Sequence, residues 1–249
     1  MVNLAIYRDR LAQPWGKIQY DITFAQLAHL EDLTILDFGA GFGLISQFLA
    51  QKNTVTAVEP NADMLFADDS QTFTKQLSSL DVLKRFSDQY FDVICCHNVL
   101  EYIPFEKHLD YWSEFYRLLK PNGQVSLIKH NPVGKIFQSV VFADDVTTAL
   151  DLLDGKAFQS LSFAQGKTYT IEDAVSLSQL DLEHYQGIRT FYSLQPNDVK
   201  TKEGWLDKML NIELAVCDLS PYKDVSFLQH LWLRKSDRMA SPERQPKDN

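Results

Sequence analysis

The chain has 249 residues, 45% hydrophobic and 12% aromatic, enough apolar side chain to bury the core of an α/β fold, which excludes a polypeptide too polar to collapse. A formal net charge of −9 excludes a sequence-blind electrostatic grip on nucleic acid, because such binding needs many phosphate-neutralising cations. Cys95, Cys96 and Cys217 match neither a disulfide framework nor a zinc pattern, the start MVNLAIYRDRLAQPWGK lacks the apolar core of a signal peptide, and no run approaches the roughly 18 consecutive apolar residues of a membrane span, so a cytoplasmic protein with no membrane partner is expected.

Leu33 to Phe38 (LTILDF) is a short apolar run that ends in glycines, and Ile45, Phe48 and Leu49 recur at helical spacing after it. The order is therefore strand, tight turn, helix. Thr54 to Glu59 (TVTAVE) reads as the next strand, Pro60 and Asn61 open a short helix, Gln71 to Gln76 reads as a third strand and Tyr90 to His97 (YFDVICCH) as an apolar fourth, with Cys95 and Cys96 pointing to opposite faces. Phe105, Leu109, Trp112, Tyr116 and Leu119 recur at steps of four and three, a helix with one apolar stripe. Lys120-Pro-Asn-Gly123 ends it, since proline cannot extend a helix and Asn-Gly tolerates positive φ, and Gln124 to Lys129 reads as a fifth strand.

Beyond Asn131 the periodicity weakens into a mixed insertion, helical around Ile136 to Leu153. Thr170-Ile-Glu-Asp173 reads as a helix start leading into Ala174 to Leu180, Tyr185 to Leu194 as a strand, Gly204 to Cys217 as a helix and Ser226 to Arg234 (SFLQHLWLR) as a final strand. The alternation predicts an α/β, Rossmann-like, seven-stranded mostly parallel sheet with helices on both faces and an antiparallel final strand. Residues 1–235 form one domain in this reading, with insertions at about 131–167 and 195–224 on the substrate side, and the polar tail 236–249 is flexible.

The chemistry concentrates in LDFGAGFG. Gly39, Gly41 and Gly43 lie between strand and helix, where missing side chains let the backbone bend and a ligand approach. Glu59 ends the next strand, 20 residues after Gly39, where a carboxylate accepts hydrogen bonds from ribose hydroxyls. Together they indicate a bound nucleoside. A dinucleotide fits less well: G-x-G-x-x-G needs a third glycine at position 44, which is Leu44, and Asp37 at the mouth of the loop would repel a pyrophosphate but attract a cationic sulfonium or amino group. No Gly-Lys-Ser/Thr follows, so a P-loop is excluded. His97 ends the fourth strand, on the side where open parallel sheets bind ligands.

On these residues the chain resembles the class I S-adenosylmethionine-dependent methyltransferases. LDFGAGFG is similar to their first motif, VTAVEPNADM to the second, and FDVICCHNVLEYIP and LLKPNGQVSL to the motifs of the fourth and fifth strands, over about Leu33 to His130. The resemblance implies S-adenosyl-L-methionine as cofactor, with Asp37, Gly39, Ala40 and Gly41 along its methionine part, Glu59 on the ribose, Asn61 and Met64 flanking the adenine, Ser78 and Ser79 at the adenine edge in place of the common acidic residue, and His97 beside the methyl donor. A narrower resemblance, carried by Gly16-Lys-Ile-Gln19, HNVLEY, SLIKHNPVGK and GIRTFYS, is to bacterial tRNA 5-carboxymethoxyuridine methyltransferases, in which an arginine lies near the place of Gln19. It implies a wobble-uridine carboxylate in tRNA as methyl acceptor.

A carboxylate acceptor needs no general base; a hydroxyl or amine could require one, for which His97, His130 and His184 are the candidates. Of the basic residues close in sequence, Arg117 and Lys120 belong to a helix end, where the dipole favours them, and only Lys129, His130 and Lys135 lie near the expected site. Two other readings stand beside the tRNA enzyme: a small-molecule O- or N-methyltransferase, suggested by Phe137, Phe142, Phe158 and Phe163 in the insertion, and a regulator that binds the cofactor without turnover. Glu101, one helical turn beyond His97, is read as a hydrogen-bond anchor.

Overall fold

The apolar runs pair as the centre of a seven-stranded sheet in a computed structural model that describes residues 11, 13–159 and 165–236. The strands are β1 (Thr34–Phe38), β2 (Thr54–Glu59), β3 (Thr74–Leu77), β4 (Phe91–His97), β5 (Leu119–His130), β6 (Asp181–Ile188) and β7 (Leu228–Arg234), in the order β3-β2-β1-β4-β5-β7-β6. The first five are mutually parallel, and β7 runs antiparallel to both β5 and β6, so the fold expected from the alternation is the fold present. Between β1 and β4 the order of strands reverses. Loops leaving the carboxyl ends of those two strands diverge and open a crevice there.

Helices α1 (Pro14–Leu27), α2 (Leu44–Leu49), α3 (Ala62–Leu65), α4 (His108–Leu118), α5 (Pro132–Phe137), α6 (Val146–Leu153), α7 (Ile171–Ser178), α8 (Asn197–Lys200) and α9 (Trp205–Val216) flank the sheet. Cys95 and Cys96 serve two different cores, one shared with Leu27, Leu49 and Trp232, the other with Trp112, Phe115 and Leu231, as strand alternation requires. The start of α7 is a capping box, with Thr170 Oγ1 accepting from Asp173 N at 3.0 Å and Asp173 Oδ2 from Thr170 N at 2.8 Å. Among the described residues no helix is long and apolar enough to cross a membrane.

Several elements differ from the sequence expectation. The third strand starts at Thr74, because residues 71–73 bend to turn Phe73 into the core. In α4 the buried face is His108, Trp112, Phe115 and Leu118, whereas Phe105 and Leu109 are exposed; the buried His108 imidazole, bonded to Leu100 O at 2.8 Å, occupies a place that hydrophobic periodicity alone gives to an apolar residue. Strand β5 begins at Leu119, before the Pro-Asn-Gly turn. The strand expected over Tyr185 to Leu194 is instead Asp181–Ile188, because Arg189 takes φ +62° and turns the chain. Of the polar tail, residues 237–249 lie outside the described residues, as does Phe163.

That turn is held by one side chain. Glu213 of α9 is buried, and its carboxylate accepts the backbone N–H groups of Thr190, Phe191 and Tyr192 at 2.7, 2.8 and 2.7 Å. Glu213→Ala leaves these donors without an acceptor, and each buried unsatisfied donor costs about 1–3 kcal/mol. The expected result is a loss of about 3–5 kcal/mol in urea denaturation, with Glu213→Gln intermediate; an unchanged midpoint would disprove the anchor.

Candidate functional site

A cavity of roughly 370 Å³ opens over the crevice and is lined by the loop after β1, the end of β2, the segment after β4 and one face of α1, a volume within the usual range for small-molecule sites. Of the residues singled out in the sequence it brings together Gln19, Asp37, Gly39, Ala40, Gly41, Glu59, Met64 and His97. The loop needs its glycines here. Gly39 has φ +76°, and a Cβ on it would lie 2.3 Å from Val99 Cγ2; Gly41 has φ +55°, and its Cβ would meet Met64 Cε at 3.2 Å.

Both carboxylates sit at the strand ends as expected, each under restraint. Asp37 is buried and accepts Ser46 Oγ at 2.6 Å. Burial, more than the opposing Ser46 bond, pushes its pKa up to about 6, and the neighbouring Glu59 carboxylate adds to the rise. Glu59 Oε2 accepts Gly41 N at 3.0 Å and Oε1 accepts Asn61 N at 2.9 Å; burial raises its pKa against the pull of those two bonds. Each carboxylate oxygen has two acceptor positions, so one on each remains for a ligand.

Asn61, Ser78, Ser79 and His130 are not among the cavity residues. Asn61 caps α3 instead, its Oδ1 accepting Met64 N at 3.2 Å. Ser78 N donates to Glu59 O at 3.2 Å, and Ser79 is exposed ahead of a 3₁₀ turn. His130 is packed edge-on between Phe158 and Phe227, at 5.1 and 5.3 Å between ring centroids, and burial and nearby cations hold its pKa well below the imidazole range. His184 is exposed on β6 and stacks on Trp232, away from the cavity. Glu101 is buried and accepts His130 N at 2.6 Å, which is an anchor.

Sequence reasoning passed over several wall residues. Tyr20 and Thr23 share the cavity face of α1 with Gln19, and Asn98, Val99 and Tyr102 follow β4. The first group was visible as neighbours one helical turn apart, the second as the polar and aromatic residues inside HNVLEY. At the corner where Gln19 stands, Arg189 Nη1 donates to Gln19 Oε1 at 3.2 Å, so a cation reaches that place from a position 170 residues away.

Cations and rings collect next to the cavity. Lys135 Nζ lies 3.8 Å from the Phe158 ring centroid and 5.2 Å from that of Phe227, and the Arg189 guanidinium lies 4.8 Å from the same Phe227 ring. Burial lowers Lys135 to about 8 and Arg189 to about 10, and both stay protonated at neutral pH. Lys200, between Phe142 and Tyr192 at 4.6 and 4.5 Å, joins the segments 131–167 and 195–224. Lys129 is spoken for: its ammonium donates to Tyr169 O at 2.7 Å.

Residues 36–127 match the family model described as a methyltransferase domain. Among curated proteins no sequence relative is found. Solved structures share the fold: an S-adenosylmethionine-dependent methyltransferase from Archaeoglobus fulgidus (TM-score 0.60, 14% identity, 94% of this chain and 100% of that one) and one from Methanosarcina mazei (0.56, 16%, 83% and 94%). So does the Burkholderia thailandensis 1,6-didemethyltoxoflavin-N1-methyltransferase, solved with 1,6-didemethyltoxoflavin and S-adenosylhomocysteine (0.53, 13%, 94% and 89%). The domain match spans β1 to β5, the strands that bound the crevice at the strand reversal, and the fold is the one these methyltransferase structures share.

Gly39→Ala combines a left-handed backbone, costing about 1–2 kcal/mol for a residue with a Cβ, with overpacking of about 1–3 kcal/mol against Val99. A loss of about 2–4 kcal/mol is expected in urea denaturation, partly recovered in the Gly39→Ala/Val99→Ala double variant. Stability equal to wild type in the single variant would contradict the close approach.

Proposed function

We propose that the enzyme methylates a carboxylate, and that the carboxylate belongs to a modified wobble uridine in tRNA. The reading rests on Lys135: its ammonium is held between two aromatic rings beside the cavity and, among the described residues, forms no ion pair. The buried Glu101 carboxylate acts on it only from beyond ion-pair distance, a desolvated cation is costly to keep, and an acceptor anion supplies a direct partner. Arg189, reaching Gln19 at the cavity rim, extends the same positive corner, and the narrower resemblance of HNVLEY, SLIKHNPVGK and GIRTFYS supports tRNA as the carrier. The acceptor and the enzyme then share the cytoplasm.

The cavity suits the cofactor by its donor set. The glycine-rich Gly39–Gly41 loop, the two acidic groups Asp37 and Glu59, and the buried atoms His97 Nδ1 and Asn98 Oδ1, unpartnered among the described residues, suit a nucleoside carrying a cationic tail. In this reading Glu59 takes the ribose hydroxyls, Asp37 and the Gly39-Ala40-Gly41 backbone flank the methionine part with Gln19, and Met64 packs on the adenine; Asn61, Ser78 and Ser79 lie outside the cavity wall. Bound S-adenosylmethionine supplies an electrophilic methyl group on sulfur. The protein's share is alignment and exclusion of water. Lys135 and Arg189 orient the acceptor carboxylate, which is already ionised and nucleophilic, so neither His97 nor His130 has to remove a proton.

A planar small-molecule acceptor is the second reading, favoured by the contact of Tyr102, a cavity residue, with Phe158 at 6.3 Å between ring centroids. Nucleoside mass spectrometry of tRNA from a deletion strain separates the two: loss of a wobble-uridine methyl ester is expected, and an unchanged nucleoside profile, with methyl label found only in small metabolites, would sink the tRNA reading. Lys135→Gln removes a charge-assisted contact worth about 1.5–3 kcal/mol, so KM for the carboxylate acceptor should rise about tenfold or more while the Kd for S-adenosylmethionine stays within about twofold.

The cofactor reading has its own pH signature. With a pKa of about 6, Asp37 is charged at pH 7 and mostly neutral at pH 5, so its attraction for a cation fades as pH falls. Calorimetry should show S-adenosylmethionine binding weakened up to about tenfold at pH 5 relative to pH 7, and Asp37→Asn should flatten that profile. An equal pH dependence in both proteins would remove Asp37 from the site.

A further inference from the structure

Four polar side chains cross the sheet beneath the cavity in one hydrogen-bonded line. Gln26 of α1 bonds through Oε1 to His230 Nδ1 at 2.8 Å; His230 Nε2 bonds to Ser126 Oγ at 2.7 Å; and Ser126 Oγ bonds to His97 Nε2 at 2.8 Å. His230 and Ser126 are fully buried, and Gln26 nearly so. The three sheet residues come from the adjacent strands β7, β5 and β4. At the near end His97 lines the cavity, and its Nδ1 is buried without a hydrogen-bond partner among the described residues.

The direction of this line follows from its far end. Gln26 Nε2 donates to the backbone carbonyl of Gly187 at 3.1 Å, which only a donor can satisfy, so Oε1 faces His230 as an acceptor. His230 must then carry its proton on Nδ1 and a lone pair on Nε2. Ser126 has one O–H to give, and His230 Nε2 takes it. The remaining contact of Ser126 Oγ therefore accepts, which requires a proton on His97 Nε2 and leaves Nδ1 as a lone pair. Reversing the line sets His230 Nδ1 against Gln26 Oε1, acceptor to acceptor, and turning the Gln26 amide to relieve that sets Oε1 against Gly187 O. Both alternatives leave buried polar atoms unsatisfied, at about 1–3 kcal/mol each.

We infer that Gln26, His230 and Ser126 are positioning residues that lock His97 in its Nε2–H tautomer, so that Nδ1 is a fixed hydrogen-bond acceptor for an N–H or O–H group of the molecule bound in the cavity. The inference rests on the reading of that cavity as the cofactor site. Burial disfavours the imidazolium of both rings, so neither alternative state of His97 competes near neutral pH. The device makes the cavity wall selective for donors at this point, and its control lies 71 residues away in sequence, at Gln26.

Long-range ¹H–¹⁵N NMR correlations of the full chain at pH 7 report which imidazole nitrogen carries the proton. In the free protein His97 should be protonated at Nε2 and His230 at Nδ1; a proton on His97 Nδ1 overturns the lock. Gln26→Leu should shift His97 toward a mixture of tautomers and weaken S-adenosylhomocysteine binding about three- to tenfold, and Gln26→Glu, which keeps an acceptor for His230, should retain the wild-type tautomers. Unchanged tautomers in Gln26→Leu also overturn it. Ser126→Ala, which cuts the line at its centre, provides the same test should Gln26→Leu fail to fold. Saturating S-adenosylhomocysteine should shift the His97 Nδ1 resonance: binding without that shift overturns the role of Nδ1, whereas no binding at all overturns the cofactor reading and leaves the tautomer result to judge the lock.

Discussion

The Glu59 carboxylate holds the crevice end of the sheet together. One oxygen takes the Gly41 N–H from the loop after β1, the other takes the Asn61 N–H that opens α3. Two loops that diverge from neighbouring strands are thereby pinned to one side chain, and the glycines between them can hold left-handed backbone because there is a partner for the N–H groups they expose. Everything that faces the cavity from that side, Gly39 and Gly41 against Val99 and Met64 included, depends on this bracket. A carboxylate suits the task because its acceptor capacity exceeds two bonds, so structural and ligand contacts do not compete.

Electrostatically the two sides of the site are opposites. Asp37 and Glu59 are buried acids at the ends of β1 and β2, with pKa values raised by burial; half-buried Lys135 and buried Arg189 are bases beyond β5 and β6, with values lowered by the same cause. Neither group neutralises the other by direct contact. In the proposed reading a cationic donor would meet the acidic half and an anionic acceptor the basic half, so the two substrates would bind to opposite charges of one crevice. The overall charge of −9 hides this local positive corner, which is why composition argued against nucleic acid while the site argues for an anion.

What the sequence disclosed and what it hid divide by range. Asp37, the Gly39–Gly43 loop, Glu59 and His97 lie at strand ends, and strand ends are marked by local apolar runs and turn residues, so their convergence could be read from spacing. Helix α4 shows the limit of that method: Phe105 and Leu109 fit the stripe but are exposed, and His108 is buried because its ring nitrogen has a carbonyl to bond. Asn61, Ser78 and Ser79 were placed by family position, yet none lines the cavity: Asn61 caps α3, Ser78 N bonds to Glu59 O and Ser79 is exposed. The Arg189–Gln19 bond and the line from Gln26 to His97 join residues 170 and 71 positions apart, and no periodicity carries information over such distances.

The place of β7 has a consequence for how the chain acquires its active form. It is the last strand in sequence, yet it lies between β5 and β6, antiparallel to both, and carries His230. A chain emerging in order presents β1 to β4 first, while β7 must meet β5 across about 100 residues, so the slot between β5 and β6 stays open until the last strand arrives. The glycine loop and its carboxylates therefore belong to the leading strands, whereas the hydrogen-bonded line that reaches His97 is complete only with the last strand of the chain.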